Sequence, residues 1–274
     1  MDDDKFRARE IDTQKPSAAR MYHYYITGTA IFDADRILGE KVFEQFPHAH
    51  TWAVHNRAFL ARATRFMVGR GIRQFLDIGS GLPTGGNTHE VARAIAKDTR
   101  VVYVDNDLEA VGRAYQLLRA QDALNTTTII EADLRNPEQI LTHPDTRRLI
   151  NEDQPVGLLL VSVLPFLPET SRPAELLARL RDHLPAGSFI AMTHVSLEDA
   201  APDLQTRLAN AAALYEQASD PVTLRSRTQF AAFFDGFELV EPGITYAPDW
   251  RPDHPVNPDD PARVCNFAAI GYKP

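Results

Sequence analysis

Three aspartates stand at or just after the ends of three successive apolar segments: Asp77, Asp105 and Asp133. The first precedes Gly79 and Gly81, whose lack of a Cβ lets the backbone turn sharply and approach a ligand closely. Carboxylates accept hydrogen bonds from hydroxyl and amino groups, and they repel phosphates. These residue types at these positions predict a site for a polar or cationic ligand.

The glycine turn departs from the pattern that binds dinucleotides. That pattern has a third glycine, G-x-G-x-x-G, and places a pyrophosphate at the turn. Here the third position is Thr84, and the neighbouring Asp77 would repel the phosphates. A phosphate-free cation with an amino group fits better, and S-adenosylmethionine (SAM) is such a ligand. An NAD-dependent oxidoreductase is the less favoured alternative.

Each aspartate has a predicted task at one part of this ligand. Asp77 and the glycine turn would face the amino-acid end, and Asp105 would accept from both ribose hydroxyls. Asp133 would accept from the adenine amine while Leu134 packs on the ring. A helix N-cap explains any single aspartate equally well, so the prediction depends on the three together.

Apolar segments that alternate with amphipathic ones predict the elements that position these residues. Strands are expected before Gly79 and at 101–104, 127–130, 156–163, 189–192, 238–240 and 267–270. Strands that alternate with helices favour an α/β fold with a parallel sheet. The last two strands have no helix between them, so the final strand is expected to be antiparallel.

Three amphipathic helices are predicted before the first strand. Ser17 is a candidate cap of the first helix, and the other two cover 33–46 and 52–68. The predicted organisation is therefore a mobile tail (1–16), an N-terminal helical cap (17–70) and a ligand-binding sheet domain (71–274). The cap and the sheet are expected to pack as one unit.

Composition restricts the classes of partner. The chain has 274 residues, a formal net charge of -8 and a single cysteine, Cys265. The acidity disfavours nucleic acid as a partner, and the single cysteine excludes an internal disulfide, which fits a cytoplasmic protein. Without a long apolar run or a secretory signal, no membrane association is expected. The histidines lack ligand spacing, so no metal site is predicted.

Longer stretches resemble a known family. They are 16–22, 56–60, 71–84, Asn87, 89–92, 101–107, 132–135 and 224–227. Through these stretches the chain resembles the actinobacterial S-adenosyl methyltransferase family, formerly a domain of unknown function. The resemblance runs from about Thr13 to the end of the chain. The resemblance implies a class I, Rossmann-like three-layer sandwich with a mostly parallel seven-stranded sheet. It also implies SAM as methyl donor and S-adenosyl-L-homocysteine (SAH) as product, with no settled methyl acceptor.

The predicted cofactor site contains the aspartates, the glycine turn and neighbouring residues at the strand ends. Its members are Asp77, Gly79, Ser80, Gly81, Asn87, Asp105, Asn106, Asp133, Leu134, Ser162 and Val163. The usual amino-methylating signature after the fourth strand is replaced by 162–166, Ser-Val-Leu-Pro-Phe. This lowers the expectation of methylation on an exocyclic base nitrogen.

Catalytic and acceptor-pocket residues are predicted by position alone. His194, at the end of the fifth strand, is the candidate general base because a histidine pKa lies near neutrality. A structural histidine is the alternative. Aromatic residues predicted to line the acceptor pocket, unless they are ordinary packing, are Tyr22, Tyr25, Phe32, Phe166, Tyr246 and Trp250.

The function predicted from these residues is SAM-dependent methylation of a small molecule at oxygen or nitrogen. The protein is expected to be a monomer or a homodimer. A non-catalytic protein that binds or senses SAM is the alternative from another class.

Overall fold

The computed structural model describes residues 11–274. Residues 1–10, most of the expected mobile tail (1–16), lie outside the described residues. The α-helices of the described part are α1 (Ala18–Thr27), α2 (Asp33–Gln45), α3 (Ala49–Gly69), α4 (Thr88–Ile95), α5 (Leu108–Ala120), α6 (Pro137–Thr142), α7 (Pro144–Leu149), α8 (Pro173–His183), α9 (Pro202–Leu214) and α10 (Arg227–Ala232). The strands are β1 (Gln74–Ile78), β2 (Arg100–Asp105), β3 (Thr127–Glu131), β4 (Gly157–Leu160), β5 (Phe189–Val195), β6 (Glu238–Leu239), β7 (Thr245–Tyr246) and β8 (Asn266–Tyr272).

The strands form one sheet in the order β3-β2-β1-β4-β5-β8-β6. Strands β1 to β5 pair in parallel, and β8 enters antiparallel between β5 and β6. The short β7 also pairs with β8 and adds an eighth strand to the seven expected. The α/β fold with a mostly parallel sheet and an antiparallel last strand is thus confirmed.

The sheet is buried on both faces, as its almost continuous apolar strands require. Alternate residues of β1 enter opposite cores: Leu76 packs with Val102 on one face, whereas Phe75 packs with Val101 on the other. Helix α3 supplies Phe59 to the second core. Side chains at the carboxyl ends of β1, β2 and β3 are left to face the loops that follow them.

Helix α1 begins directly after its predicted cap. The Ser17 hydroxyl accepts a hydrogen bond from the Arg20 backbone N–H, and Gly28 adopts a left-handed conformation with φ 70°. Arg20 is almost fully buried and donates from Nε to Asp35 of α2 at 2.9 Å. Its Nη1 lies 3.3 Å from Asp107, so one guanidinium joins two helices of the N-terminal region to the loop after β2.

The segment between β3 and β4 and the end of β4 differ from expectation. Two six-residue helices, α6 and α7, lie between β3 and β4, and each starts at a proline whose missing N–H costs nothing at a first helical position. Strand β4 is shorter than the predicted 156–163 because Ser162 has a left-handed backbone, φ 59°.

Over residues 11–274, every helix is too short or too polar to span a lipid bilayer.

Candidate active site

The three aspartates lie on the same side of the sheet, at the carboxyl ends of the strands, because β1, β2 and β3 are neighbours and run parallel. Strand order reverses between β1 and β4, and in open α/β sheets ligands bind at that position, outside the carboxyl ends of the strands. A cleft with about 1070 Å³ of empty space, part of it open to solvent, lies there. Asp77, Asp105 and Asp133 all line it.

Asp77 is almost fully buried at one end of the cleft. Its Oδ2 accepts a hydrogen bond from the Thr88 hydroxyl at 2.6 Å. Burial raises the pKa of Asp77 to about 6, against the opposing effects of Thr88 and of the positive charge on Arg57. A nearby ligand cation would favour the ionised carboxylate and lower that pKa.

Asp105 joins the end of β2 to the glycine turn. Its Oδ2 accepts from the Gly81 backbone N–H at 2.7 Å, and its Oδ1 accepts from the Asp107 backbone N–H at 2.9 Å. Burial raises the pKa of Asp105 to about 6 despite these bonds. Because each carboxylate oxygen has two lone pairs, both can still accept from ligand hydroxyls.

Asp133 lies at the more open end of the cleft. It accepts from the Arg135 backbone N–H at 2.8 Å and from the Asn106 side-chain amide at 3.2 Å, while Leu134 beside it is buried. Arg135 also reaches Asp220 at 2.5 Å, from the segment after α9. A carboxylate acceptor thus lies beside an apolar side chain, the combination expected at an adenine.

The glycine turn has one closed side and one open side. Gly79 has φ 69°, and a Cβ there would lie 2.0 Å from Val163 Cγ2. Gly81 has φ 66°, and a Cβ there would meet no heavy atom within 4 Å. The first glycine therefore permits close packing of the turn on the loop after β4, and the second leaves space at the cleft.

The cleft suits SAM by its charge and its unused polar atoms. Its lining carries four carboxylates, which include Asp220, against two guanidinium groups, so it favours a cation and disfavours a pyrophosphate. Among the described residues, the hydroxyls of Ser80 and Ser162 are buried without a hydrogen-bond partner. Buried polar groups are normally paired, so both hydroxyls are available to a ligand.

Aromatic side chains enclose the other part of the cleft. Tyr22 and Trp52 meet edge to face, with ring centroids 5.9 Å apart. Phe166 and Tyr215 also contact each other, at 5.9 Å. The first pair comes from α1 and α3, and the second from the loop after β4 and the turn after α9.

The structure brings most of the predicted residues to the cleft. Of the predicted cofactor residues, those that line it are Asp77, Gly79, Ser80, Gly81, Asp105, Asn106, Asp133, Leu134, Ser162 and Val163. Asn87 does not; it caps α4, where its backbone N–H donates to Glu90 at 2.8 Å. Of the predicted acceptor-pocket aromatics, Tyr22 and Phe166 line the cleft.

Four aromatic residues predicted for the acceptor pocket lie elsewhere. Tyr25 is buried with its hydroxyl 2.9 Å from that of Tyr215, and Phe32 lies against the Arg20 guanidinium. Tyr246 stacks on Phe267 with centroids 5.6 Å apart. Trp250 is fully buried. These rings fill the core or join helices, which was the alternative explanation for them.

His194 is also placed away from the cleft, contrary to the expected catalytic position. It is fully buried, its Nδ1 lies 2.9 Å from the Val195 carbonyl oxygen, and its Nε2 lies 3.0 Å from Arg225 Nη1. A guanidinium only donates, so Nε2 accepts and the proton sits on Nδ1. Burial lowers the pKa of His194 to about 4. Thr193, its neighbour on β5, points to Asn56 of α3 instead.

Several cleft residues were not predicted from the sequence. They are Trp52, Asn56 and Arg57 of α3, Tyr215 and Asp220 near α9, and Arg135 after β3. Asn56 and Arg57 belong to the stretch 56–60 that resembles the family, and this was the available signal for them. Asn56 donates to the Tyr22 hydroxyl at 3.0 Å, so it positions one wall of the aromatic part.

Fold and site together define a nucleoside-binding α/β enzyme of the class I methyltransferase type. The sequence profile of the S-adenosyl methyltransferase family matches residues 4–274. The chain belongs to this family. It is therefore a SAM-dependent methyltransferase, and the bound cofactor supplies a methyl group activated on a sulfonium.

Solved structures agree with this assignment. A proposed methyltransferase from Thermobifida fusca is 38% identical, with a TM-score of 0.87 over 96% of this chain and 97% of that chain. A DUF574 family protein from Streptomyces avermitilis is 33% identical, with a TM-score of 0.89 over 97% of this chain and 100% of that chain. The SAM-dependent methyltransferase SibL shares the fold, at 16% identity and a TM-score of 0.53 over 96% of this chain and 67% of that chain. The comparison with curated protein sequences found no match.

Proposed function

We propose that the methyl acceptor is a small molecule, methylated at oxygen or nitrogen, and that α1–α3 act as a cap over it. The observation that carries the proposal is the aromatic part of the cleft, where Tyr22 and Trp52 face the same space as Phe166 and Tyr215. Rings on several sides suit a flat acceptor of limited size, since small-molecule sites are concave and mostly apolar with few polar groups.

In this proposal the residues of the cleft act by positioning. Asp105 and Asp133 hold the nucleoside, and Asp77 with the glycine turn fixes the amino-acid end. The aromatic walls orient the acceptor and exclude water from the transfer. Bound SAM would supply the methyl group: the acceptor oxygen or nitrogen would bond to the methyl carbon as the carbon–sulfur bond breaks. The products would be the methylated acceptor, SAH and the proton that the acceptor loses to solvent.

Charge favours a small molecule over nucleic acid. The net charge of -8 and the acidic lining of the cleft would repel a phosphate backbone. We therefore expect turnover with small hydroxylated or amino-substituted aromatic compounds and none with DNA or RNA.

An assay of SAH release tests the proposal. The protein, SAM and a panel of small aromatic phenols and amines are incubated, with protein and nucleic acid acceptors in parallel. Turnover with a compound of the panel supports the proposal. Turnover with macromolecules alone contradicts it, and SAM binding without turnover on any acceptor favours the non-catalytic alternative.

A matched pair of variants then locates the acceptor. Trp52→Leu removes a ring from the cleft, whereas Trp250→Leu removes a buried ring outside it. Trp52→Leu should raise the KM of the acceptor with SAM affinity unchanged. An equal change of acceptor KM in both variants would argue for a general loss of packing instead.

A further inference from the structure

Arg57 is a cation of the cleft that lacks a carboxylate partner among residues 11–274. It lies on α3, it lines the cleft, and its Nη2 donates to the carbonyl oxygens of Gly85 at 2.9 Å and Gly86 at 3.4 Å. Within residues 11–274 it makes no ion pair, and its Nε and Nη1 have no protein acceptor. A guanidinium carries five N–H donors in a planar fork, so most of its binding capacity is unused.

Asp77 and Arg57 line the same part of the cleft with opposite charges but do not pair. The positive charge of Arg57 is close enough to lower the pKa of Asp77. Asp77 instead accepts from Thr88, at 2.6 Å. A carboxylate and a guanidinium that share one cavity without pairing are complementary to a zwitterion. The cationic group of the zwitterion can pair with the carboxylate, and its anionic group can pair with the guanidinium.

The amino-acid end of the cofactor is such a zwitterion. Its α-carbon carries both an ammonium and a carboxylate group, and the predicted task of Asp77 accounts only for the ammonium. Carboxylates are bound best by a guanidinium, which can donate two parallel N–H bonds. The other guanidinium of the lining, Arg135, already pairs with Asp133 and Asp220 at the opposite, adenine end.

We propose that Arg57 binds the α-carboxylate of SAM and SAH, so that Asp77 and Arg57 together recognise the amino-acid part of the cofactor. The bonds to Gly85 and Gly86 hold the guanidinium against the loop that follows the glycine turn. Arg57 thereby also fixes the register of the cofactor along the cleft. Binding of the α-carboxylate by Arg57 does not depend on which methyl acceptor the protein uses.

Calorimetry with three ligands tests the proposal. SAH carries both charged groups, decarboxylated SAM lacks the carboxylate, and 5′-methylthioadenosine lacks the amino-acid part altogether. Arg57→Gln should weaken SAH binding by about 10- to 100-fold, the effect of losing charge-assisted hydrogen bonds. It should change the affinity for the other two ligands by no more than about twofold.

Companion variants make the test specific. Arg65→Gln removes an exposed guanidinium from the same helix and should leave all three affinities unchanged. Arg57→Lys keeps the charge but loses the planar fork and should give an intermediate SAH affinity. Binding of 5′-methylthioadenosine shows that each variant is folded. Equal weakening of SAH and 5′-methylthioadenosine by Arg57→Gln, or an unchanged SAH affinity, would overturn the proposal.

Discussion

The Asp105 carboxylate accepts a hydrogen bond from the Gly81 backbone N–H at 2.7 Å. This bond ties the end of β2 to the turn after β1, so Asp105 and the glycine turn form one unit. The bond also holds a buried carboxylate beside the cleft. Burial makes its ionised form unfavourable, and a bound cationic ligand would offset that cost. Cofactor affinity should therefore respond to the protonation of these acids.

SAM affinity should fall as the pH is lowered through 6. Asp77 and Asp105 both have a pKa of about 6 without a ligand, because burial disfavours their charged forms. In the proposed site the ammonium pairs with ionised Asp77, and the ribose hydroxyls donate most strongly to ionised Asp105. Lowering the pH from 7.5 to 5 should therefore weaken SAM by up to about tenfold for each carboxylate. Calorimetry across this range checks the expectation. 5′-Methylthioadenosine, without an ammonium, should show a smaller change, and a pH-independent SAM affinity would disagree with the account.

The two glycines of the turn should differ in their sensitivity to alanine. Both have positive φ, which costs an alanine roughly 1–2 kcal/mol. Gly79→Ala also places its Cβ 2.0 Å from Val163 Cγ2, whereas Gly81→Ala meets no heavy atom within 4 Å. Urea unfolding should show the larger loss of free energy for Gly79→Ala. Adding Val163→Ala should recover part of that loss, and equal losses in the two single variants would speak against the packing described.

Arg20→Met should destabilise the protein strongly. The change leaves Asp35, whose side chain is fully buried, and Asp107 without their cation. Removing one member of a buried ion pair costs roughly 3–5 kcal/mol. Arg36→Met, which breaks two exposed ion pairs on α2, is the matched control and should barely change the unfolding midpoint. Similar midpoints for both variants would show that the buried cluster is not structural.

His194 should affect stability rather than cofactor binding. Its folded pKa of about 4 lies below the usual 6.5, so acidification favours the unfolded state, which binds the proton first. Stability contributed by neutral His194 is complete above 6.5 and falls by roughly 1–2 kcal/mol between pH 7 and pH 5. Urea unfolding of His194→Gln should lack this component, with SAM affinity unchanged. A loss of SAM affinity in that variant would indicate a role at the cleft.

The sequence was sufficient for seven of the eight strands because most of them are short apolar runs with clear limits. Helices α6 and α7 were missed because six residues are too few for a periodic pattern. The short β7 was missed for a similar reason, since two residues cannot show alternation. The extra length assigned to β4 came from apolar residues that continue past the end of the strand.

Side-chain direction limited the prediction of the site. Residues at or just after the carboxyl ends of neighbouring parallel strands lie on the same side of the sheet, so the three aspartates could be placed from the chain alone. His194 and Thr193 are adjacent on β5 and point to opposite faces, so an error of one residue in register exchanges their surroundings. Tyr22 and Tyr25 likewise differ in whether they reach the cleft, although both lie on α1. Which of them does so depends on the packing of α1 against α3, which the sequence pattern does not specify.

A crystal structure of the protein with SAH is the most direct test of the central claim, that the three carboxylates at the strand ends hold one molecule of the cofactor. The account predicts Asp105 within hydrogen-bond distance of the ribose hydroxyls, Asp133 beside the adenine amine and Asp77 beside the ammonium group. A nucleoside bound away from these carboxylates, or bound with only one of them in contact, would contradict it.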